Sequence, residues 1–354
     1  MKTAVVLGKG GFGEVVEEGK SARKQLDRDR YVIREAFMLK YMNASKFIVN
    51  IEKVNIVNKS ILIEKWDMSL STFIRNYHPN EKQKMKILHD VLCGLSHMHS
   101  IGLVHADVTS NNILIKTKNF RACICDLGLT SIREYSKVEG TAPGYAPMVP
   151  VKSYGHDMFG LTISMLELFA GFKAIKKFTQ LKLRDIISTN KDIPKKVANV
   201  MKRMCPDDLT TAITADECLQ YLFGEETIFE VPKILKYPSL IKKEYDDYLK
   251  NEILTLSKEY KINRGMRAYI CLIQFLSSPD GFSEERYPID PKYYLLYAIS
   301  ALFIYMSLFG NTKLDIEMCL SITNNQYSKD DFYFAINKLF MSENFCAMTL
   351  ASVR

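Results

Sequence analysis

The sequence has few of the patterns that mark a secreted, metal-binding or fibrous protein. Its 354 residues include eight cysteines with no C-x-x-C pair and no dense, even spacing, which argues against a disulfide framework and a zinc-finger array. The run Met1–Leu7 holds five apolar residues before the first glycine, too few for the core of a signal peptide. No internal repeat or low-complexity stretch is present. We therefore expect an intracellular protein in a reducing compartment: the cytoplasm, the nucleus or both.

Positive and negative charges are unevenly divided along the chain, whose net charge is +8. Residues 1–224 contain 33 Lys and Arg against 23 Asp and Glu, whereas residues 225–354 contain 15 against 17. This shift predicts two units, 1–224 and 237–354, joined by a linker at 225–236. The basic first unit favours phosphate-bearing ligands or acidic partners. Because no basic tail or aromatic-basic surface pattern is present, nucleic acid is not a predicted partner.

One long apolar run requires a decision between a membrane span and a buried helix. Residues 293–309 are 17 residues without a charge, close to the shortest stretch that spans a bilayer. Four tyrosines and two serines lie inside the run. This composition favours a core helix, and a membrane anchor is the lesser alternative.

Strand-like segments come early in the chain and helical segments come late. Apolar residues recur at helical spacing over 27–43 and 81–100, and the chain after residue 157 is mostly helical. The predicted strands are 3–7, 13–18, 48–57 and 60–66, with short strands flanking 103–126. We therefore predict an α+β fold, with a small β-rich lobe followed by a helical lobe.

The first chemical motif is a glycine-rich turn with a lysine and a glutamate downstream. Glycines in the segment Leu7-Gly8-Lys9-Gly10-Gly11-Phe12-Gly13-Glu14-Val15 would let main-chain N–H groups approach a triphosphate. An ordinary hairpin turn is the alternative for this segment taken alone. Lys24 follows on the next predicted strand, and Glu35 lies in the 27–43 helix. A lysine held by a glutamate can sit on the α- and β-phosphates of a nucleotide.

The second motif places two carboxylates and an amide around a predicted strand. In the segment Val104-His105-Ala106-Asp107-Val108-Thr109-Ser110-Asn111-Asn112, Asp107 could accept the proton of an attacking hydroxyl. Asn112 and the later Asp126, in Cys125-Asp126-Leu127-Gly128, are suited to Mg²⁺. Cys123 and Cys125 are expected to pack in the core, since no further ligand set lies nearby.

This ordered set of motifs over residues 1–224 resembles a eukaryotic-type protein kinase. The resemblance implies a two-lobed fold that binds ATP and Mg²⁺ and transfers the γ-phosphate to serine or threonine of protein substrates. Asp107 would be the catalytic base, Glu35 would hold Lys24, and Asn112 and Asp126 would hold the metal. The implied nucleotide contacts are Leu7, Gly8, Lys9, Gly10, Gly11, Phe12, Gly13, Val15, Ala22 and Lys24, with Glu64 and Trp66 in the hinge.

Several positions depart from the kinase pattern. Ala106 stands where the family has an arginine that clamps a phosphorylated activation loop, so we expect weak dependence on a phosphate near Ser136. Thr109 stands where a lysine often contacts the transferred phosphate, which predicts slower turnover. Met148 and Ala212 stand where the family has a buried Glu–Arg pair, and losing both partners together is consistent with a maintained fold. The alternative is a non-catalytic pseudokinase scaffold that binds nucleotide and recruits partners through its tail.

The tail and the 27–43 helix suggest a further relationship. Ile33-Arg34-Glu35 is similar to the cyclin-contacting helix of cyclin-dependent kinases, and the tail resembles a degenerate cyclin box at 266–273, 295–309 and 321–331. Such fusions resemble proteins of large DNA viruses, which would place the chain in a host cell. The resemblance implies that an all-α tail packs on the 27–43 helix and holds Glu35 against Lys24. A helical module for stability or localisation is the alternative.

Overall fold

The computed structural model describes the chain in segments. The described residues are 5–10, 13–42, 45–132, 144–145, 147, 153–171, 180–225, 236, 241–259, 265–278, 290–309 and 315–351. The chain packs as two compact units, neither of them continuous in sequence. The first contains residues 1–37, 53–62 and 231–354, and the second contains residues 38–52 and 63–230. Most of the predicted linker at 225–236 lies outside the described residues.

The N-terminal region is a five-stranded sheet with one helix in its connection. The strands are β1 (Val6–Gly10), β2 (Gly13–Glu18), β3 (Ser21–Leu26), β4 (Ile51–Asn55) and β5 (Ser60–Glu64), in the spatial order β1-β2-β3-β5-β4. The first three form antiparallel hairpins, and Gly19 in the turn between β2 and β3 has φ 63°. Helix α1 (Asp29–Tyr41) falls within the predicted 27–43. The β-rich start of the predicted fold is therefore confirmed.

Helix α1 is buried on nearly every face. Six of its apolar side chains are at most 1% exposed, namely Val32, Ile33, Ala36, Phe37, Met38 and Leu39. A helix that packs on one layer normally keeps a polar outer stripe. Buried positions all around α1 therefore mean that it is covered on more than one side.

The second unit is mainly helical, as predicted for the later part of the kinase-like region. Its helices are α2 (Leu70–Asn76), α3 (Glu81–Ser100), α4 (Tyr154–Ala170), α5 (Gln180–Thr189), α6 (Lys195–Met204) and α7 (Ala215–Phe223). Its strands are β6 (Met68–Ser69), β7 (Leu103–Val104), β8 (Ile113–Lys116), β9 (Arg121–Ile124) and β10 (Ser131–Ile132), paired as β6-β8-β9 and β7-β10. The predicted bounds of α3, 81–100, are confirmed. A capping box between Asn80 and Gln83 defines where the helix begins.

The tail consists of helices throughout its described part. These are α8 (Lys243–Glu259), α9 (Gly265–Leu276), α10 (Tyr294–Phe309), α11 (Ile316–Ile322), α12 (Lys329–Met341) and α13 (Glu343–Ala351). Helix α10 packs against α8, α9, α11 and α12, so the uncharged run at 293–309 forms the centre of a helical core. Ser328 caps α12 through a capping box with Asp331. Among the described helices, none has the length and hydropathy required to cross a bilayer.

Candidate active site

The glycine-rich segment forms the hairpin between β1 and β2. Gly10 lies opposite Gly13 across the hairpin, while Gly11 and Phe12 fall outside the described residues. Gly13 has φ 155°, and a Cβ atom there would lie 1.9 Å from the carbonyl oxygen of Gln25 on β3. Position 13 therefore tolerates only glycine, because β3 approaches its main chain too closely for a side chain. Gly8 and Lys9 lie on β1, where the side chain of Leu7 is 44% exposed.

Lys24 and Glu35 form a buried ion pair in the first unit. Alternation along β3 points Ala22, Lys24 and Leu26 to the same buried face. Val15 lies opposite Lys24 on β2. The Lys24 Nζ atom lies 2.7 Å from both carboxylate oxygens of Glu35, and the two residues are 7% and 3% exposed. The two predicted residues are thus brought together, and the ammonium is fixed by a bidentate contact.

In the second unit, the loop between β7 and β8 holds Asp107 against Asn112. The Nδ2 atom of Asn112 donates to the Asp107 carbonyl oxygen at 2.9 Å and to its carboxylate oxygen Oδ2 at 2.8 Å. This orientation leaves the Asn112 amide oxygen as an acceptor, the donor type that Mg²⁺ prefers. Thr109 is buried, and its hydroxyl accepts from the Asn112 main-chain N–H at 3.3 Å. Thr109 therefore closes the turn that carries Asn112.

Asp157 on α4 holds the start of this loop through main-chain hydrogen bonds. Its carboxylate accepts from the main-chain N–H of His105 at 2.8 Å and of Ala106 at 2.7 Å, and lies 2.9 Å from His99 Nε2. Asp157 is fully buried, which alone would raise its pKa. The hydrogen bond with His99 and the nearby imidazoles of His105 and His156 outweigh burial and lower the pKa overall. Asp157 is therefore an ionised acceptor that holds Ala106 in a left-handed conformation, φ 67°.

Neither Asp157 nor His99 was predicted as a site residue, although Asp157-Met158-Phe159-Gly160 resembles the start of the long buried helix beneath the catalytic loop of kinases. The available signal was a carboxylate among apolar neighbours at the start of a helix, since Met158 and Phe159 follow it directly. Helix α4 also packs very closely on the loop. A Cβ atom at Gly160 would lie 2.5 Å from the Val108 carbonyl oxygen. The glycine at 160 thus permits the approach that the Asp157 hydrogen bonds require.

Asp126 follows β9 in a left-handed conformation and lies beside the same loop. Its φ and ψ are 61° and 69°, and its Oδ1 atom accepts from the Gly128 N–H at 3.4 Å. The preceding residue ties the two segments together: Cys125 N donates to the Asn112 carbonyl oxygen at 2.9 Å, and the Cys125 carbonyl lies 2.9 Å from His105 Nε2. One carboxylate and one amide suit Mg²⁺, which retains other oxygen ligands from phosphates and water. The described residues contain no cluster of three or more His, Cys, Asp or Glu that would hold a metal without such help.

The predicted hinge residues Glu64 and Trp66 make their side-chain contacts within the second unit. Glu64 ends β5, its N–H donates to the Asn50 carbonyl oxygen at 2.9 Å, and its carboxylate lies 3.5 Å from Lys116 Nζ. Trp66 is buried, with Lys116 Nζ 5.1 Å and the Arg121 guanidinium 5.9 Å from its ring centroid. The side chains of both residues are thus engaged with basic residues of the same unit.

A tyrosine far along the chain contacts the loop between β7 and β8. The Tyr145 hydroxyl lies 2.9 Å from the Ser110 Oγ atom, and both residues are buried. Neither had been predicted as a site residue, because a tyrosine 35 positions away gives no local signal. Ser136 and Met148 lie outside the described residues.

Helix α1 has neighbours in the helical tail. The rings of Phe37 on α1 and Phe340 on α12 are 5.8 Å apart between centroids. Burial raises the pKa of the Asp29 carboxyl at the start of α1, and the nearby Asp315 carboxylate raises it further. The positive charges of Lys59 and Lys329 act in the opposite direction. Lys329, at the start of α12, also forms an ion pair with Glu317. Helix α1 thus has an aromatic contact with α12, and the Lys329 charge acts on its first residue.

Curated relatives of this chain are protein kinases. A probable serine/threonine-protein kinase of Encephalitozoon cuniculi is 34% identical over 133 residues, 35% of this chain and 25% of that protein. Cyclin-dependent kinase B1-1 of Arabidopsis thaliana is 26% identical over 197 residues, 47% of this chain and 59% of that protein. Protein kinase ORF73 of Ictalurid herpesvirus 1 is 26% identical over 204 residues, 48% of this chain and 21% of that protein. The chain thus spans less than two thirds of each of these relatives.

The family comparison agrees with the geometry of both units. Residues 1–223 match the family model of the protein kinase domain, which is well over half of the chain. The match spans the glycine hairpin, the Lys24–Glu35 pair, the Asp107–Asn112 loop and Asp126. The chain therefore belongs to the protein kinase domain family.

Proposed function

We propose that the chain is an ATP- and Mg²⁺-dependent kinase that transfers the γ-phosphate to serine or threonine of protein substrates. The observation that carries this proposal is the buried Lys24–Glu35 pair. Burying two charges costs several kcal/mol of desolvation per ion, and an apolar pair of similar volume is often as stable. A buried ion pair that served only for packing would therefore add little to the stability of the fold. A lysine held for phosphate oxygens explains why both charges are present.

The roles of the other residues follow from their chemistry. Mg²⁺, when bound, neutralises charge on the phosphates, and Asn112 and Asp126 supply oxygen ligands for it. Asp107 accepts the proton of the substrate hydroxyl while the hydroxyl oxygen bonds to the γ-phosphorus and ADP leaves. The main-chain N–H groups of the glycine hairpin cover the phosphates. Since Thr109 carries no charge, turnover is expected to be slower than in kinases with a lysine there.

The test is a phosphotransfer assay of the full chain with ATP labelled in the γ-phosphate and a set of generic protein substrates. We expect label on serine and threonine, none on tyrosine, and complete loss of transfer when EDTA removes Mg²⁺. ATP binding without transfer would overturn the catalytic proposal and favour the pseudokinase scaffold, to which the departures at Ala106 and Thr109 also point.

We also propose that the tail holds α1 in its active position. Three observations support this: α1 is buried on nearly every face, the Phe37 and Phe340 rings are 5.8 Å apart, and the charges of Asp315, before α11, and Lys329, on α12, act on Asp29. A tail on the same chain is present at an effective concentration of roughly millimolar, so its contact need not be tight. Because α1 carries Glu35, a shift of α1 would release Lys24.

Phe340→Leu should lower phosphotransfer by about 5-fold or more, and Phe340→Ala by more still, because a smaller side chain loosens the contact with Phe37. Truncating a buried phenylalanine to alanine also costs about 3–5 kcal/mol of stability. For this reason, rates are normalised to folded protein measured by circular dichroism. Hydrogen exchange of α1 amides, followed by mass spectrometry, should rise in both variants.

The matched control is Phe334→Ala on the same helix, because Phe334 is 59% exposed while Phe340 is 4% exposed. This control should keep the wild-type rate and the wild-type exchange of α1. If Phe340→Leu lowers only the melting temperature and leaves kcat and α1 exchange unchanged, the tail is a stability module and the proposal fails.

A further inference from the structure

A pocket of about 360 Å³ lies within the helical tail, and none of its lining residues is assigned to phosphotransfer. It is formed by the start of α8, the start of α10 and the turn before α12. Its volume falls in the range of roughly 300–1,000 Å³ that is typical of ligand clefts. Four tyrosines line it, namely Tyr245, Tyr248, Tyr294 and Tyr327.

The tyrosine rings are held at defined angles. Tyr245 and Tyr294 meet edge to face, with centroids 5.8 Å apart and planes at 85°. The Tyr327 hydroxyl donates to the Lys292 carbonyl oxygen at 2.5 Å, which fixes that ring. Tyr248 is 45% exposed and forms part of the rim. Ring faces carry negative partial charge and attract a cation within about 6 Å of the centroid, so several rings around one cavity favour a cationic guest.

The charged residues that line the pocket also favour a cationic ligand. Two charged residues line the pocket, Glu244 and Lys292. The Lys292 ammonium lies 3.4 Å from the Asp290 carboxylate and 4.9 Å from the Tyr293 centroid, and neither partner lines the pocket. Its positive charge is therefore engaged outside the pocket. Glu244 is exposed in the first turn of α8, and it forms no ion pair with any of the described residues. Its negative charge therefore complements a bound cation.

We propose that this pocket binds the ammonium group of a lysine side chain, unmodified or N-methylated, presented by a peptide. The rings and Glu244 surround the cation, and the apolar side chains of Pro291 and Leu295 cover the methylene stem. The site would give the tail a recruiting role for basic peptides. It does not depend on the proposed phosphotransfer, since none of its residues belongs to the kinase motifs.

The experiment titrates the full chain with choline and with 3,3-dimethylbutan-1-ol, which has the same shape without the charge, by calorimetry. Choline should bind at least about 5-fold more tightly than the neutral alcohol. Peptides with lysine, trimethyllysine or norleucine at one position then distinguish a lysine side chain from a small free cation as the ligand. Both peptides that carry a lysine form should bind more tightly than the norleucine peptide. Choline binding with no preference for the lysine peptides would show a site for small free cations and overturn the peptide assignment.

Variants of the pocket sharpen this test. Tyr248→Ala should weaken the lysine peptide about 2- to 30-fold, the range set by one cation–π contact, while Tyr248→Phe should bind like the wild type because the ring face remains. Tyr221→Ala, at a 43% exposed tyrosine on α7, is the matched control and should have no effect. Equal binding of the neutral alcohol and choline, or no cation binding at 10 mM, would overturn the proposal.

Discussion

Asp107→Asn is expected to lower the rate of phosphotransfer by about 10²–10⁴-fold, the contribution typical of a positioned general base. Asparagine has the same shape and keeps one oxygen, which can accept the hydrogen bond that Asn112 donates at 2.8 Å. The loop should therefore stay in place while the proton acceptor is lost. The measurement is the single-turnover rate at saturating ATP and Mg²⁺, with nucleotide affinity and melting temperature recorded on the same sample.

The matched control for this variant is Asp208→Asn. Asp208 is exposed in the second unit and caps the short 3-10 turn at 209–211 through the Thr210 N–H at 2.9 Å. Asparagine and aspartate are about equally good at such a cap, so this variant should retain the full rate. A wild-type rate in Asp107→Asn would remove Asp107 from the mechanism.

Asp157→Asn is expected to lower the free energy of unfolding by about 3 kcal/mol, because an ionised acceptor of two buried main-chain N–H groups is lost. The amide can turn only one oxygen toward the loop, so one of the N–H groups of His105 and Ala106 would face a second donor. For a unit of this size, the loss corresponds to a fall in melting temperature of roughly 6–12 °C. Thermal unfolding followed by circular dichroism measures it.

The pH dependence of stability provides a second check on Asp157. Because its pKa is lowered in the folded state, its stabilising contribution is present above the unfolded pKa of about 4 and is lost as the pH falls below that value. The difference in stability between wild type and Asp157→Asn should thus narrow under acid conditions. Asp185→Asn, at an exposed position on α5, should match the wild type throughout. A melting temperature within 1 °C of wild type for Asp157→Asn would contradict this account.

The features that the sequence predicted well are those set by short-range physics. The strand that carries Lys24 was predicted, and helical spacing of apolar residues predicted the helices at 27–43 and 81–100. The observed strand ends differ from the predicted ones by a few residues. Strand β4, for example, was predicted over 48–57 and spans 51–55. Terminal residues differ because pairing with a neighbouring strand decides where a strand ends.

The missed features depend on residues far apart in the chain. Asp157 accepts from residues 51 and 52 positions earlier, and Tyr145 contacts a residue 35 positions earlier. No local period or motif signals such pairs, because they arise only after α4 packs on the loop. The same holds for the pocket in the tail, whose tyrosines come from three separate segments.

Two residues of the candidate active site, Ala106 and Asp126, adopt the left-handed backbone region that glycine enters at lowest cost. A selection for heat resistance alone should therefore enrich glycine at both positions. At 106 the exchange would be neutral for chemistry, but at 126 it would delete the carboxylate that we assign to Mg²⁺. A selection for stability should therefore also measure the proposed phosphotransfer, because a stabilising glycine at position 126 would abolish it.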